Sequence, residues 1–263
     1  MINLSKTSNP VFSKNVFAQS YAGTAQGVMT MQGTINKSIL LLLIIIVAAS
    51  FTWNMAQSGN SAAFTLMIAG AILGFVTAMV TVFKKDLARI TAPIYAVFQG
   101  LFLGGISAVI QMAVVAPRVA EGTLAPSSSG IVFQAVALTF GVFLVMFLLY
   151  RNRIIQPTKK FMMGVVAATG AVALIYIVNL VMHLFGTSLP FLFTSTPLGI
   201  GISVVVVIIA ALNLILDFKN IEDGVAQQAP KNMEWFAAFG LMVTLVWLYI
   251  EILRLLMLLA NRN

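Results

Sequence analysis

Residues 38–55 read SILLLLIIIVAASFTWNM, a run of apolar and small polar side chains without a charge. With a rise of about 1.5 Å per residue, a helix of about 20 such residues crosses the hydrocarbon core of a bilayer. The run is apolar on every face, whereas a strand of a membrane barrel would alternate polar and apolar positions. The stretch therefore predicts a membrane-spanning helix.

Six further runs of the same character follow along the chain. They cover residues 62–83, 91–115, 131–150, 161–184, 198–216 and 236–260. The composition agrees, because 60% of the 263 residues are apolar and 8% are charged, whereas about a quarter of the residues of a soluble domain carry a charge. We predict an all-α integral membrane protein with seven transmembrane helices. Residues 1–37, rich in small polar side chains, are expected to form a flexible N-terminal tail, and residues 38–263 the transmembrane domain.

The composition also excludes several kinds of site. The chain has no cysteine and one histidine, which excludes thiolate metal sites, catalytic thiols and disulfides and leaves an imidazole metal site short of ligands. No Ser–His–Asp set, His-x-x-x-His pair or glycine-rich phosphate loop is present. We therefore expect the protein not to be an enzyme and to hold no cofactor.

The chain has 15 basic and 7 acidic residues, and the positions of the basic residues indicate its orientation in the membrane. Twelve Lys and Arg residues fall in the tail and in the second, fourth and sixth loops, whereas the opposite side carries only Arg118 and Arg262. Because basic loops stay in the cytoplasm, the N-terminus is expected to be cytoplasmic. No nucleic-acid partner is expected. If the seventh segment were re-entrant, the C-terminus would also lie inside.

A few polar side chains are expected at membrane depth, where an ionised group costs about 2.5–3.5 kcal/mol even on lenient scales. Glu251 lies near the middle of the seventh run, and it either forms an ion pair with Arg254 one turn later or serves as an ion or proton site. Asp217 follows the sixth run, with Asn213 one turn deeper on the same face. Asn213, Gln99 and Arg254 are candidates for a polar path.

Two other patterns have a structural interpretation. The spacings Gly70-x-x-x-Gly74 and Gly100-x-x-x-Gly104 are typical of helices that approach closely, and they indicate packing. Three acidic residues after the sixth run are expected in a hydrated loop: Glu222, Asp223 and Glu234.

Three segments carry a family resemblance: residues 92–104 read APIYAVFQGLFLG, residues 214–221 read LILDFKNI and residues 248–256 read LYIEILRLL. Together they resemble the Bax inhibitor-1 family, also called the transmembrane Bax inhibitor motif family. The opening SNPVF at residues 8–12 is similar to a bacterial branch of that family.

The resemblance implies a fold of two three-helix layers around a central C-terminal helix. It also implies a pH-sensitive calcium leak channel, in a bacterial inner membrane, gated by a carboxylate pair on the sixth and seventh helices. Carried over to this sequence, the pair is Asp217 and Glu251, and the basic residue that latches the closed state is Lys84 or Lys85. Two carboxylates supply too few oxygens for tight calcium binding, so the permeant ion would bind weakly and transiently at Asp217 and Glu251.

The pair would act as a switch because two adjacent carboxylates cannot both ionise cheaply and would share a proton. The sequence departs from the family pattern in having Glu251 for the usual Asp, Gln99 where many members have Glu, and Lys instead of Arg at the latch. The stretch from Asp217 to Glu251 is also longer than is usual in the family. If the sixth helix extends to about Asp223 and the seventh begins near Glu234, Asp217 would lie about 9 Å and Glu251 about 26 Å from the turn between them, at about 1.5 Å per residue. A straight hairpin would keep them apart, so pairing requires a tilt, a kink or a folded-back loop.

Two other function classes remain open. A non-conducting regulator would bind a membrane protein, such as a membrane-bound protease, and would depend on the tail. A proton-coupled transporter is disfavoured by the lack of broken helices in paired positions. The expected partners are therefore the lipid bilayer, calcium and protons, with a membrane protein as the further candidate.

Overall fold

The computed structural model of the chain describes residues 27–120, 130–187, 189 and 194–261, and of residues 115–120 it describes the backbone alone. Within these ranges lie seven helices, each long and apolar enough to span a membrane. They are α1 (Met31–Gln57), α2 (Ala62–Phe83), α3 (Ala88–Ala120), α4 (Gly130–Arg151), α5 (Lys159–Leu184), α6 (Pro197–Ala226) and α7 (Met233–Ala260). The predicted all-α class and the seven spans are confirmed.

Helix α1 begins earlier than the sequence analysis predicts. Thr30 caps it, since its Oγ1 accepts a hydrogen bond from the Gly33 N–H at 3.0 Å, as threonine commonly does at this position. Residues 31–37, which were expected in the tail, are therefore the first two turns of α1. The predicted tail over residues 1–26 lies outside the described residues.

Helix α6 continues ten residues beyond the predicted end of the sixth run. Phe218 and Ile221 stay buried on one face, while Lys219 and Asp223 form an ion pair across one turn at 2.5 Å. Glu222 accepts hydrogen bonds from Tyr150 and, at 2.8 Å, from Arg153. The expectation of a hydrated loop is wrong for Glu222 and Asp223, because a buried apolar face carries the helix past them.

The helices form two layers around α7. In the first layer α3 packs between α1 and α2, and in the second α6 packs against α4 and α5. Helix α7 contacts α1, α3, α4 and α6, and a larger share of it is buried than of the other six helices. The two three-helix layers around a central C-terminal helix are therefore confirmed.

The glycine spacings bring the first layer into backbone contact. A Cβ added to Gly104 would lie 2.1 Å from the Ala49 carbonyl oxygen of α1, and one added to Gly70 would lie 2.6 Å from a carbonyl oxygen of α3. Such distances leave room only for hydrogen, so the packing role predicted for these glycines is confirmed.

The inner end of the bundle is the end at which α1, α3, α5 and α7 begin, and a cluster of polar contacts ties it together. Glu234, in the first turn of α7, is fully buried and accepts hydrogen bonds at 3.0 Å from both the N–H and the hydroxyl of Thr30. Its second oxygen is paired with the Lys37 ammonium. We call Thr30, Lys37 and Glu234 the inner clamp. The hydrated loop expected for Glu234 is wrong, because this carboxylate finds all its partners inside the protein.

The backbone reinforces the inner clamp. Met29 N–H donates to the Ala229 carbonyl at 2.7 Å, and Lys231 N–H donates to the Gly27 carbonyl at 3.2 Å. The segment before α1 is thus fastened to the loop between α6 and α7.

Candidate functional site

Polar side chains at membrane depth line one side of the second layer, where α5, α6 and α7 meet. We call them the polar stripe, and they form two tiers. The inner tier contains Thr169 and Asn213, which bond each other, and Asp217 and Thr244, which face each other. The outer tier contains Tyr176, Glu251 and Arg254. On α5 and α7 the tiers are seven residues, two helical turns or about 10 Å, apart on the same face.

In the inner tier, Asp217 is the ionisable group. The Thr244 hydroxyl of α7 is its polar neighbour, and its Oδ2 atom is buried without a hydrogen-bond partner. None of the four ion pairs formed by described residues includes Asp217. A buried carboxyl oxygen without a partner is uncommon, so this atom can accept a further ligand.

Asn213 joins the same tier to the neighbouring helix. Its Nδ2 donates to the Thr169 hydroxyl of α5 at 2.7 Å and to the Ile209 carbonyl at 2.8 Å. Because Asn213 and Asp217 are one turn apart on α6, they lie on the same face of that helix. The structure therefore brings these two predicted residues together.

In the outer tier, Glu251 is held by three side chains. Its Oε1 accepts hydrogen bonds from the Tyr176 hydroxyl at 2.7 Å and from the Trp247 indole N–H at 3.3 Å. Its Oε2 lies 2.8 Å from Arg254 Nη2. Glu251 and Arg254 are 3% and 7% exposed, so the ion pair that the sequence offered as one alternative is present.

This ion pair leaves hydrogen-bonding capacity unused. The approach of Nη2 to Oε2 is close enough for charge pairing but lacks the angles of a hydrogen bond, so both atoms and Arg254 Nε have no hydrogen-bond partner. The guanidinium also lies 5.4 Å from the centre of the Tyr176 ring, within cation–π range. A water molecule could therefore hydrogen-bond to these atoms.

The structure does not bring Asp217 and Glu251 together. Asp217 faces Thr244, and Glu251 lies seven residues further along α7, about 10 Å deeper. Neither hydrogen bond to a Glu251 oxygen comes from Asp217. Residues 227–232 connect α6 and α7, and the predicted hydrogen bond shared by Asp217 and Glu251 is absent in this conformation.

Leu248 separates the two tiers. It lies one turn after Thr244 and one turn before Glu251, and it is fully buried. Because helical residues three and four apart share a face, Leu248 is between the two polar groups on α7. The polar stripe is therefore interrupted by an apolar side chain.

The predicted latch residues lie elsewhere. Lys84 is exposed at the end of α2, and the Lys85 ammonium lies 5.1 Å from the centre of the Phe236 ring. Both are at the inner end, and neither takes part in the ion pairs of the described residues. At this end the basic residue paired with the fully buried carboxylate of Glu234 is Lys37, which was not among the predicted latch residues.

Gln99 is not part of the polar stripe. It packs between α2 and α3, where a Cβ added to Gly74 would lie 3.1 Å from its Oε1. In the described part of the chain no three His, Asp or Glu side chains are grouped as a metal site.

Sequence reasoning missed Tyr176, Thr244 and Trp247 as neighbours of the two carboxyls. The spacing of polar residues along α5 and α7 could have indicated them. Two helical turns separate Thr169 from Tyr176 on α5, and the same interval separates Thr244 from Glu251 on α7. Trp247 precedes Glu251 by one turn, which places its N–H within reach of the carboxylate.

Comparison with known proteins identifies the family of the chain. A family model described as Bax inhibitor 1 like matches residues 9–261, nearly the whole chain. No curated protein and no solved structure matches this chain. The seven helices, the central α7 and the acidic segments on α6 and α7 are thus features of a chain that belongs to the Bax inhibitor 1 like family.

Proposed function

We propose that the protein is a pH-sensitive calcium (cation) leak channel of a bacterial inner membrane, with the inner end of the bundle facing the cytoplasm. Family membership and the polar stripe support this proposal. The observation that carries it is the buried Asp217 Oδ2, which has no hydrogen-bond partner although it lies against the central helix. The basic residues of the tail and of the inner loops support the orientation.

In this mechanism Asp217 and Glu251 act separately. A protonated Asp217 is neutral and can remain beside Thr244, whereas an ionised Asp217 must gain water or a cation. Of the side chains around Asp217, the Thr244 hydroxyl is the polar one that interacts with it. Water drawn to Asp217 would wet the constriction at Leu248, since apolar constrictions gate by dewetting. The leak should therefore increase as Asp217 loses its proton.

The pH profile of the leak tests this mechanism. In liposomes that contain a calcium dye, the wild-type protein should leak more as the pH rises between about 6 and 8. Asp217→Asn, which is permanently neutral, should give a low leak that no longer varies with pH. Asp223→Asn removes a carboxyl from the same helix outside the polar stripe and should keep the wild-type profile. A wild-type profile in Asp217→Asn would contradict the proposal.

Glu251→Gln should behave differently from Asp217→Asn. It removes the charge that balances Arg254, and the unpaired guanidinium would repel cations at the outer tier. The leak should fall at every pH, while its remaining dependence on pH is kept.

Leu248→Ser tests the constriction. Losing the apolar barrier of a buried leucine, about 1.5–3 kcal/mol, corresponds to a leak roughly 10- to 100-fold faster at all pH values. Leu253→Ser provides the matched control, because Leu253 is equally buried on another face of α7. Equal leak rates in the two variants would show that Leu248 is not the barrier.

The alternative is a non-conducting regulator that binds another membrane protein. One observation favours it: the backbone bonds at Met29 and Lys231 hold the segment that follows the predicted tail in the chain beside the loop between α6 and α7. Deleting residues 1–26 separates the two functions, because a regulator would lose its partner in co-purification and a leak would persist.

A further inference from the structure

A crevice outside the polar stripe leads from the surface of the bundle to the central helix. Helix α1 packs on α3 and α7, whereas α4 packs on α6 and α7. Between α1 and α4 this leaves a cavity of about 350 Å³, within the range of small-molecule sites. Its floor is formed by α7 and α3, and its two walls by α1 and α4.

The crevice lies at the depth of the hydrocarbon core. Its floor on α7 runs from Met242 to Tyr249, which are about 14 and 24 Å from the start of that helix. The floor is buried, with Met242 2% and Val246 7% exposed, whereas Ile46 and Phe140 at the mouth are 45% and 40% exposed. The mouth is continuous with the outward-facing apolar side chains of α1 and α4, so it opens into lipid.

Apart from the Trp53 indole, the polar side chains of the lining are already hydrogen-bonded within the protein. The lining's side chains are uncharged, and its hydroxyls already donate within the protein. Ser107 donates to the Leu103 carbonyl at 2.6 Å and accepts from the Tyr249 hydroxyl at 2.7 Å. Ser50 and Thr139 donate to carbonyls of their own helices at 2.8 and 2.7 Å. Water needs polar partners that this cavity does not provide.

We propose that the crevice binds an acyl chain of a bilayer phospholipid. The surrounding solvent at this depth consists of acyl chains, and the apolar walls match their chemistry. The bound chain contacts Leu245, Val246 and Tyr249, so the bilayer touches the central helix on the face opposite the polar stripe. This site does not depend on the proposed leak activity.

Photochemical labelling tests the site. The full-length protein is placed in vesicles of phosphatidylethanolamine and phosphatidylglycerol that carry a diazirine in the middle of one acyl chain, and the labelled residues are mapped by mass spectrometry. Labels are expected on the buried floor between Met242 and Tyr249 in addition to outward-facing residues such as Leu144. Labelling of Leu144 with an unlabelled floor would overturn the proposal.

Variants at the mouth make the test specific. Val136→Trp fills the mouth from α4 and should abolish most floor labelling. Val145→Trp is the same substitution on the same helix, at a lipid-facing position outside the crevice, and should preserve it. Ser50→Phe blocks the mouth from α1, and it replaces Val136→Trp in the test if that variant does not fold. Floor labelling that survives both blocking variants would also overturn the site.

Discussion

Replacing Gly104 with valine should separate α1 from α3 and prevent the first layer from packing. The new Cβ would lie 2.1 Å from the Ala49 carbonyl oxygen and 2.9 Å from the Ala49 carbonyl carbon. These are backbone atoms in the middle of a spanning helix, so no side-chain rotation relieves the clash. We expect a loss of about 3 kcal/mol or more, at or beyond the upper end of ordinary overpacking.

The measurement is the fraction of protein that remains monodisperse in detergent after heating. Gly141→Val is the matched control, because Gly141 also lies within a spanning helix, α4, and a Cβ added there meets no atom within 4 Å. The control should melt close to the wild type. If Gly104→Val were as stable as Gly141→Val, the close approach of α1 and α3 would not contribute to the fold.

Replacing Lys37 with methionine should destabilise the inner end of the bundle. The substitution keeps the apolar part of the side chain, removes the ammonium and leaves the Glu234 carboxylate fully buried with the Thr30 N–H and hydroxyl as its remaining partners. Breaking a buried ion pair costs about 3–5 kcal/mol. We expect about 3 kcal/mol, because 18% of the Lys37 side chain is exposed.

A second substitution shows whether the cost comes from the unpaired charge. Adding Glu234→Gln to Lys37→Met removes that charge and should restore most of the lost stability. Lys219→Met breaks a more exposed pair within α6 and should cost about 0–1 kcal/mol. A double variant no more stable than Lys37→Met alone would assign the effect to packing and not to charge.

The spans could be predicted from the sequence because hydrocarbon requires long apolar helices. All seven predicted runs lie within observed helices, and the differences are at the ends. Helix α6 extends through Asp217 to Ala226 because Phe218 and Ile221 bury one face. That burial depends on the neighbours of α6, which local composition does not reveal.

The partners of the acidic residues were less predictable. Glu251 and Arg254 are one turn apart on one helix, so their ion pair follows from spacing alone. Glu234 finds Lys37 at a distance of 197 positions in the chain, and only the folded bundle brings these residues together. For Asp217, counting residues from the turn already indicated that Glu251 would lie deeper in a straight hairpin.

The inner clamp can form only after the last helix has been synthesised. Lys37 enters the membrane with the first helix, whereas Glu234 arrives 197 residues later with the last one. During synthesis, which proceeds from the N-terminus, the ammonium has no carboxylate to bind until α7 has been made. The Lys37–Glu234 ion pair therefore forms late in biogenesis. A chain truncated before α7 would have an unpaired Lys37 ammonium and no central helix, which cellular quality control could recognise.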